Sequence, residues 1–304
     1  MMSKLRFGPY TVELSNEDKV LFPDAGITKG DLVHYYRDIA ETMLPHVRER
    51  AISMERFPDG IEGKRFFQKE TPDYFPDWID TVTLEKEGGK VTHVVANNSA
   101  TLVYLANQAC ITPHTWLSRT DKPEHPDMVV FDLDPPKDDF RVLSDAARAV
   151  RDLLEELGLA AFVKTTGSSG LHVVSPLDRC ADFDTVRQFA QDMARILATR
   201  NPESLTIEPR KDKRRGRLFL DTARNAYAQN AAPPYAVRPR EGAPVATPIE
   251  WEEVGGPGNI SQRYTVKNIF KRLGQKSDPW HGIGRFARSL KEPRRRLEGV
   301  MENL

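Results

Sequence analysis

Cysteine is nearly missing from this 304-residue chain: Cys110 and Cys180 are the whole complement, and neither sits in a C-x-x-C pair or beside a histidine cluster. That excludes a disulfide framework and a structural zinc site, and leaves both as expected small core residues. No stretch approaches the roughly 20 apolar residues that a membrane span requires. The opening Met-Met-Ser-Lys-Leu-Arg-Phe-Gly-Pro-Tyr lacks the apolar centre of a signal peptide. A cytoplasmic location with no membrane partner is expected. Net charge is absent too, 44 basic residues balancing 44 acidic ones, which argues against an undirected nucleic-acid glue. At 39% hydrophobic and 29% charged, the chain has a globular composition and length for one large or two modest domains.

What the sum of charges hides, their distribution shows. Arg210-Lys-Asp-Lys-Arg-Arg-Gly-Arg217 is one basic cluster, and Lys267 to Arg296 is a looser second. Steering by a local field needs only one face of a molecule. A charge run is ordinarily a solvated face, so these clusters become informative only beside a site that handles phosphate.

The stretch that organises the rest is Met128-Val-Val-Phe-Asp-Leu-Asp-Pro-Pro136. A β-branched apolar run ending in Asp132, Asp134 and two prolines reads as a buried strand that delivers a carboxylate pair at its end. Residues two apart on a strand face the same way, so both carboxylates can offer hard oxygen ligands to Mg²⁺ or Mn²⁺. Around it, Thr28 and Asp31 form a capping box, which predicts a helix to about Leu44, before Pro45. Short strands with Pro/Gly turns follow between Ala51 and Val95, including Arg65–Lys69 and Thr81–Leu84, with Glu87-Gly-Gly-Lys90 as a hairpin tip. Ser99–Ala109 reads as a helix, and Arg119–Asp127 as a link.

Downstream, Phe140–Leu157 is a periodic helix closed by Gly158. Ala160–Thr166 is a strand, Gly167-Ser-Ser-Gly170 a tight turn, and Leu171–Pro176 the returning strand. Asp184–Thr199 is a helix, and Arg217-Leu-Phe-Leu-Asp221 is a strand ending in a third aspartate. Pro233 to Pro257 is Pro-rich and expected to wrap the surface; a last helix is expected over 260–273, before a basic tail. The fold class is α/β (α+β), with mixed, largely antiparallel sheets flanked by helices. The chain is expected to be one domain, with an N-terminal part over 1–125, a catalytic core over 126–250 and a helical, basic end over 251–304.

Three polar sets at strand ends belong together: Asp132 with Asp134, the turn 167–172, and Asp221. Two aspartates on one strand plus a third on a neighbour can hold two divalent ions, which serve phosphoryl transfer by activating an attacking oxygen and stabilising a leaving one. The glycine-bounded turn offers bare backbone N–H groups to an anion. Ser168, Ser169 and His172 add side-chain donors for a triphosphate. Alone, such a turn is an ordinary hairpin tip and such a histidine an ordinary core residue; their order along the chain is the signal.

Asp-Leu-Asp, then strand-Gly-x-x-Gly-x-His-strand, then Leu-Phe-Leu-Asp resembles the three motifs of the archaeo-eukaryotic primase superfamily. The closer resemblance is to the polymerase domain of bacterial ligase D, running from Asn16-Glu-Asp-Lys-Val-Leu-Phe-Pro23 through Pro234-Tyr-Ala-Val-Arg238 to about residue 270. It implies the polymerase alone, with a primase-polymerase core. It also implies that Asp132, Asp134 and Asp221 ligate two ions, manganese favoured over magnesium, and that Ser168, His172 and Arg238 contact the triphosphate. His114 then lies near the nucleotide sugar and metal, Phe66 and Phe67 stack on template bases, and Lys19 and Lys29 receive a downstream 5′-phosphate.

The family turn commonly reads Ser-Gly-Ser-Lys-Gly-x-His, and here Ser169 stands at the lysine position. Arg210 or Lys213, in the cluster expected to hold DNA phosphates, is a candidate to compensate. The implied function is a DNA-dependent nucleotidyltransferase that extends primers at short gaps or breaks carrying a 5′-phosphate. It would take NTP or dNTP with a preference for ribonucleotides, in end joining with a separate ligase and an end-binding factor. The rivals are a de novo primase, a non-catalytic end-bridging module, and a D-x-D glycosyltransferase, which leaves Asp221 and the paired phenylalanines without a reason.

Overall fold

A computed structural model describes residues 3–86, 88–136, 140–255 and 260–302. It divides into two compact units: Met1–Asp121 with Asn230–Ala246 and Tyr264–Lys276, and Lys122–Gln229 with Thr247–Arg263 and Ser277–Leu304.

The first unit opens on a hairpin, β1 (Lys4–Phe7) and β2 (Tyr10–Glu13), then the short pair β3 (Val20–Phe22) and β4 (Ile27–Thr28). The expected capping box is present: Thr28 Oγ1 accepts from Asp31 N, and the Asp31 carboxylate accepts from Thr28 N. The helix it starts, α1 (Lys29–Val47), does not stop before Pro45 but carries it in its last turn. One proline in a helix costs ~3 kcal/mol, whereas burying Leu44 and Val47 in that same turn recovers about 1.5–3 kcal/mol each. Strands β5 (Ala51–Arg56), β6 (Phe66–Gln68), β7 (Thr81–Lys86) and β8 (Gly89–Val95), helix α2 (Ser99–Asn107) and β9 (Cys110–Trp116) follow. The β7–β8 tip falls where expected, with Gly88 and Gly89 at positive φ; Glu87 lies outside the described residues. Strand β5 is central, paired antiparallel with β9, β8 and β6. Ile52 and Met54 share a buried cluster with Tyr36, Ile39 and Met43 of α1 and Leu102 and Leu105 of α2.

The second unit holds β10 (Met128–Asp134), α3 (Phe140–Glu156), β11 (Phe162–Thr165), β12 (Leu171–Pro176), α4 (Phe183–Arg200), β13 (Leu205–Thr206) and β14 (Leu218–Asp221). The chain then returns to the first unit through β15 (Asn230–Ala231) beside β9, and supplies β16 (Pro248–Ile249) to the second. Helix α5 (Ile269–Gln275) ends the first unit and α6 (Lys291–Glu302) the second. The second sheet runs β13-β14-β10-β12-β11-β16, antiparallel throughout except β13 with β14.

Three further expectations need correction. The Pro-rich segment after residue 233 does not wrap the surface: Tyr235, Ala236, Val237 and Val245 are fully buried in the first unit's core. Tyr35 donates to Tyr235 O at 2.8 Å and Thr112 to Val237 O at 2.7 Å. The apolar residues between the prolines decide burial there; Pro257 lies outside the described residues. The last helix does not begin at 260, where Ile260–Gln262 makes only a 3₁₀ turn. Asn268 accepts from Thr265 N at 2.8 Å, a local bond that competes with helix until Ile269. Cys110 is buried as expected, but Cys180 is exposed, in a turn where its N–H donates to Asp178 behind the positive-φ Arg179. Among the described residues no helix is long and apolar enough to cross a membrane.

Candidate active site

In the second unit β10 lies between β14 and β12, and the register fixes which side chains meet. Asp132 is opposite Asp221 on one side and His172 on the other, and His172 is opposite Lys164 on β11. Directly opposed strand residues share a face. Four adjacent strands therefore carry one row, Lys164, His172, Asp132, Asp221, with Asp134 one step further along the same face of β10. The row is built as well as aligned. Beyond Asp221 the chain turns so that Asn225, fully buried, takes over the ladder: its Oδ1 accepts from Val130 N at 2.8 Å and its Nδ2 donates to Val130 O at 2.7 Å. That turn carries Arg224 to Asp132, Nε to Oδ2 at 3.3 Å, while Asp221 accepts from Ala223 N at 2.8 Å.

Electrostatics separate the two aspartates of β10. Asp132 is 6% exposed, and burial alone would push its carboxyl up. The His172 contact, at 3.3 Å to Oδ1, and the Arg224 guanidinium outweigh that and hold it well below the ordinary range. Burial first, and the Lys164 charge second, push His172 down to about 4. His172 is therefore neutral at pH 7 and serves Asp132 as an N–H donor, so the compensating charge comes from Arg224. Asp134 goes the other way, pushed up to about 6 by burial and then by the charges of Asp132 and Asp221. Arg214 opposes this in part; its guanidinium lies 4.2 Å over the ring of Phe219, the residue opposite Asp134.

The turn between β11 and β12 departs from expectation in one respect. Its amides are not all bare: Ser168 N and Gly170 N both donate to Thr166 Oγ1, at 3.2 and 3.1 Å. Gly167 takes positive φ, and a Cβ on Gly170 would stand 2.1 Å from Leu133 O, so glycine is required where the turn presses on β10. Ser168 is half-buried, with its carbonyl accepting from Gln262, and Ser169 is exposed. Arg210 and Lys213 are exposed around a 3₁₀ turn, Arg210 pairing with Asp212 at 3.0 Å.

Three of the sequence-predicted residues of the first unit converge on a carboxylate that sequence reading passed over. Glu55 on β5, 3% exposed, accepts from His114 Nε2 at 2.8 Å and pairs with Arg65 at 3.3 Å. Phe67 is opposite Glu55 on β6, its ring 5.4 Å from that of His114. Burial pushes Glu55 up, but His114, then Arg238 and Arg65, bring it below its usual value. Phe66 faces the other way, under Arg56. Lys19 and Lys29 are neighbours, Lys29 N donating to Lys19 O. Lys19 pairs with exposed Asp59 at 2.7 Å. Lys29 is buried, donating to Ser15 Oγ and Asn107 O, and burial followed by the Lys19 charge lowers its pKa.

The carboxylates of the second unit fit a hard divalent cation in donor chemistry: three acidic side chains on one face, one of them crowded by the other two. Among the described residues no three acidic, histidine or cysteine side chains are drawn into a coordination cluster, and Asp132 has both oxygens engaged.

Residues 28–280 match the family described as LigD, primase-polymerase domain. The chain belongs to that family. Membership gives the LigD primase-polymerase fold to both sheets and nucleotidyl transfer as the catalytic class. Among solved structures, the polymerase domain of Mycobacterium tuberculosis ligase D in complex with DNA superposes with a TM-score of 0.86 at 31% identity, covering 91% of this chain and 99% of that one. The multifunctional end-joining DNA repair protein LigD of M. tuberculosis is 34% identical over 276 residues, 88% of this chain and 36% of its own length. The bifunctional LigD of Bacillus subtilis is 30% identical over 271 residues, 88% of this chain and 43% of its own. The chain thus spans less than half the length of these relatives.

Lys164, Thr166, Arg224, Asn225 and Glu55 were all missed by sequence reading. Arg224 had a usable signal, three residues after Asp221 in a turn; Glu55 had none, since a charged residue in a strand reads as surface.

Proposed function

We propose that this LigD primase-polymerase adds nucleotides to a DNA primer at short gaps or broken ends, with Asp132, Asp134 and Asp221 as the ligands of two divalent ions, manganese favoured. The observation that carries this is the crowding of Asp134 by Asp132 and Asp221: three carboxylates on one face have an internal cation, Arg224, at Asp132 but stay under-compensated at Asp134. Asp132, Asp134 and Asp221 would hold a divalent cation there, which would supply charge neutralisation at the α-phosphate and a lower pKa for the primer 3′-hydroxyl. The chain's own residues do the positioning. His172 fixes one oxygen of Asp132, Arg224 faces the other, and Thr166 and Gly170 hold the turn that brings Ser168 and Ser169 to the triphosphate.

In the first unit, Arg238 and His114 take the nucleotide's phosphate and sugar edges, and Phe67, 46% exposed, offers a face to a template base, with Phe66 behind it. Stacking of this kind contributes roughly 1–3 kcal/mol per base without regard to sequence. Lys19 and Lys29 are two like charges held close, an arrangement that favours an anion such as a downstream 5′-phosphate. Arg210 and Lys213 face DNA phosphates in a salt-sensitive way. The relatives' names support a place in end joining; a separate ligase, an end-binding factor and a preference for ribonucleotides over deoxyribonucleotides belong to the same reading.

The test is extension of a primer across a short-gapped duplex with and without a 5′-phosphate, with manganese and either nucleotide type. Extension stimulated by the phosphate and lost in Asp132→Ala/Asp134→Ala is the expected result. Tight gap binding with no extension would sink the polymerase reading in favour of an end-bridging module.

A further inference from the structure

Strand β5 is flanked by β6 and β9, and Glu55 sits opposite Phe67 on one and Thr112 on the other. Strand alternation puts Glu55, Phe67, Thr112 and His114 on one face. A carboxylate at that depth is disfavoured unless its oxygens are engaged, and here each has its own partner: Oε2 takes His114 Nε2 at 2.8 Å and Oε1 takes Arg65 Nε at 3.3 Å. The two arms lead to different functional groups. Through Oε2 the carboxylate sets the proton of His114, because a carboxylate only accepts and Nε2 must therefore donate. Through Oε1 it holds Arg65, whose guanidinium lies 5.3 Å from the centre of the Phe67 ring. The Phe67 and His114 rings meet at 5.4 Å with a 55° tilt, so neither can turn without disturbing the other.

We propose that Glu55 is a positioning residue which, by gripping His114 and Arg65 together, couples the ring that stacks on the template base to the histidine that meets the incoming nucleotide. This rests on the primer-extending reading above and deepens it. Glu55 itself touches neither substrate. Its consequence is that nucleotide affinity responds to whether a template base covers Phe67, since both rings hang from one carboxylate.

The plain alternative is that Glu55 is only a satisfied core carboxylate, in which case its loss alters stability and nothing else. The two separate in the full chain, on a duplex with a one-nucleotide gap, a 5′-phosphate and 2-aminopurine as the template base. Quenching of 2-aminopurine, read without nucleotide or metal, reports stacking; single-nucleotide extension with UTP and dTTP reports KM and kcat. Glu55→Ala is expected to raise KM about 10-fold, with kcat moved less than about 3-fold, and to lose roughly half or more of the quench. Glu55→Gln, whose amide oxygen still accepts from His114, is expected to restore KM to within about 3-fold of wild type.

A folded Glu55→Ala protein with wild-type KM and wild-type quench overturns the proposal. So does a folded Glu55→Gln protein as impaired in KM as the alanine variant. Should Glu55→Ala melt below the assay temperature, Arg65→Gln decides, because Arg65 is exposed and removes one arm alone: a reduced quench supports the coupling, and an unchanged quench overturns it. If the wild type itself fails to extend, the polymerase reading fails, while the quench series still decides the role of Glu55.

Discussion

Two strand carboxylates in this molecule, Glu55 buried and Asp134 half-buried, have opposite fates. Glu55 in the first unit lies among partners from its own chain, the His114 donor and the Arg238 and Arg65 guanidiniums, and is held below its usual pKa. Asp134 in the second lies among carboxylates and is pushed up to about 6. The difference lies in what each face brings together, because both groups sit on a strand of an antiparallel sheet. A carboxylate satisfied from within organises its neighbours; one left crowded by like charges is where an external cation has the most to gain.

The largest effect expected from breaking this contrast is on catalysis. Asp134→Asn should lower primer extension on the order of 10³-fold or more, yet raise the melting temperature, because it deletes a charge that the fold disfavours. Glu55→Ala should do the reverse to stability: leaving the buried His114 donor without its acceptor costs about 1–3 kcal/mol. Thermal melts of both variants beside extension rates check the pair; a stabilised Glu55→Ala would remove the distinction between the units.

Next in size is Gly170→Ala. The added methyl meets Leu133 O at 2.1 Å, so β10 and the turn must part, and a loss of ~3 kcal/mol or more is expected in a chemical-denaturation midpoint.

The pH dependence should also oppose. Asp134, raised in the fold, penalises the native state increasingly as pH climbs from its ordinary value near 3.8 through about 6, and fully above that. Glu55, lowered in the fold, contributes stability that is present above its unfolded pKa and is lost as pH falls through the folded one. Adding Mn²⁺ should therefore raise the melting temperature more at pH 7.5 than at pH 5, where Asp134 is protonated; equal shifts at the two pH values would contradict the assignment of Asp134 as a ligand. The smallest change is Ser169→Lys on the exposed turn, expected to lower the nucleotide KM by roughly 3- to 10-fold through one added charge contact.

Much of the site was legible because strand chemistry is local. Period-two alternation put Asp132 and Asp134 on one face, and Gly167, Gly170 and His172 marked the turn and its return. Register was not legible: that Asp221 falls opposite Asp132, or Lys164 opposite His172, depends on pairing between strands far apart in sequence. Glu55 was invisible for a related reason, since only the flanking β6 and β9 turn a charged strand residue into a buried one. Prolines misled at both ends, at Pro45, where packing carries the helix past it, and after Pro233, where Tyr235 and Val237 were the stronger signal.

The interleaving of the two units bears on how the protein is made. Leaving a ribosome in order, the first 121 residues of the first unit would have no Tyr235, Val237 or Ile269 to fill their core until synthesis has passed the whole of 122–229 and gone on beyond Ile269. Domains finished early in translation can fold as they emerge. Here the strands of residues 1–121 must wait for a segment that ends beyond Ile269, so a cut at Asp121 yields an unfinished core rather than a smaller protein.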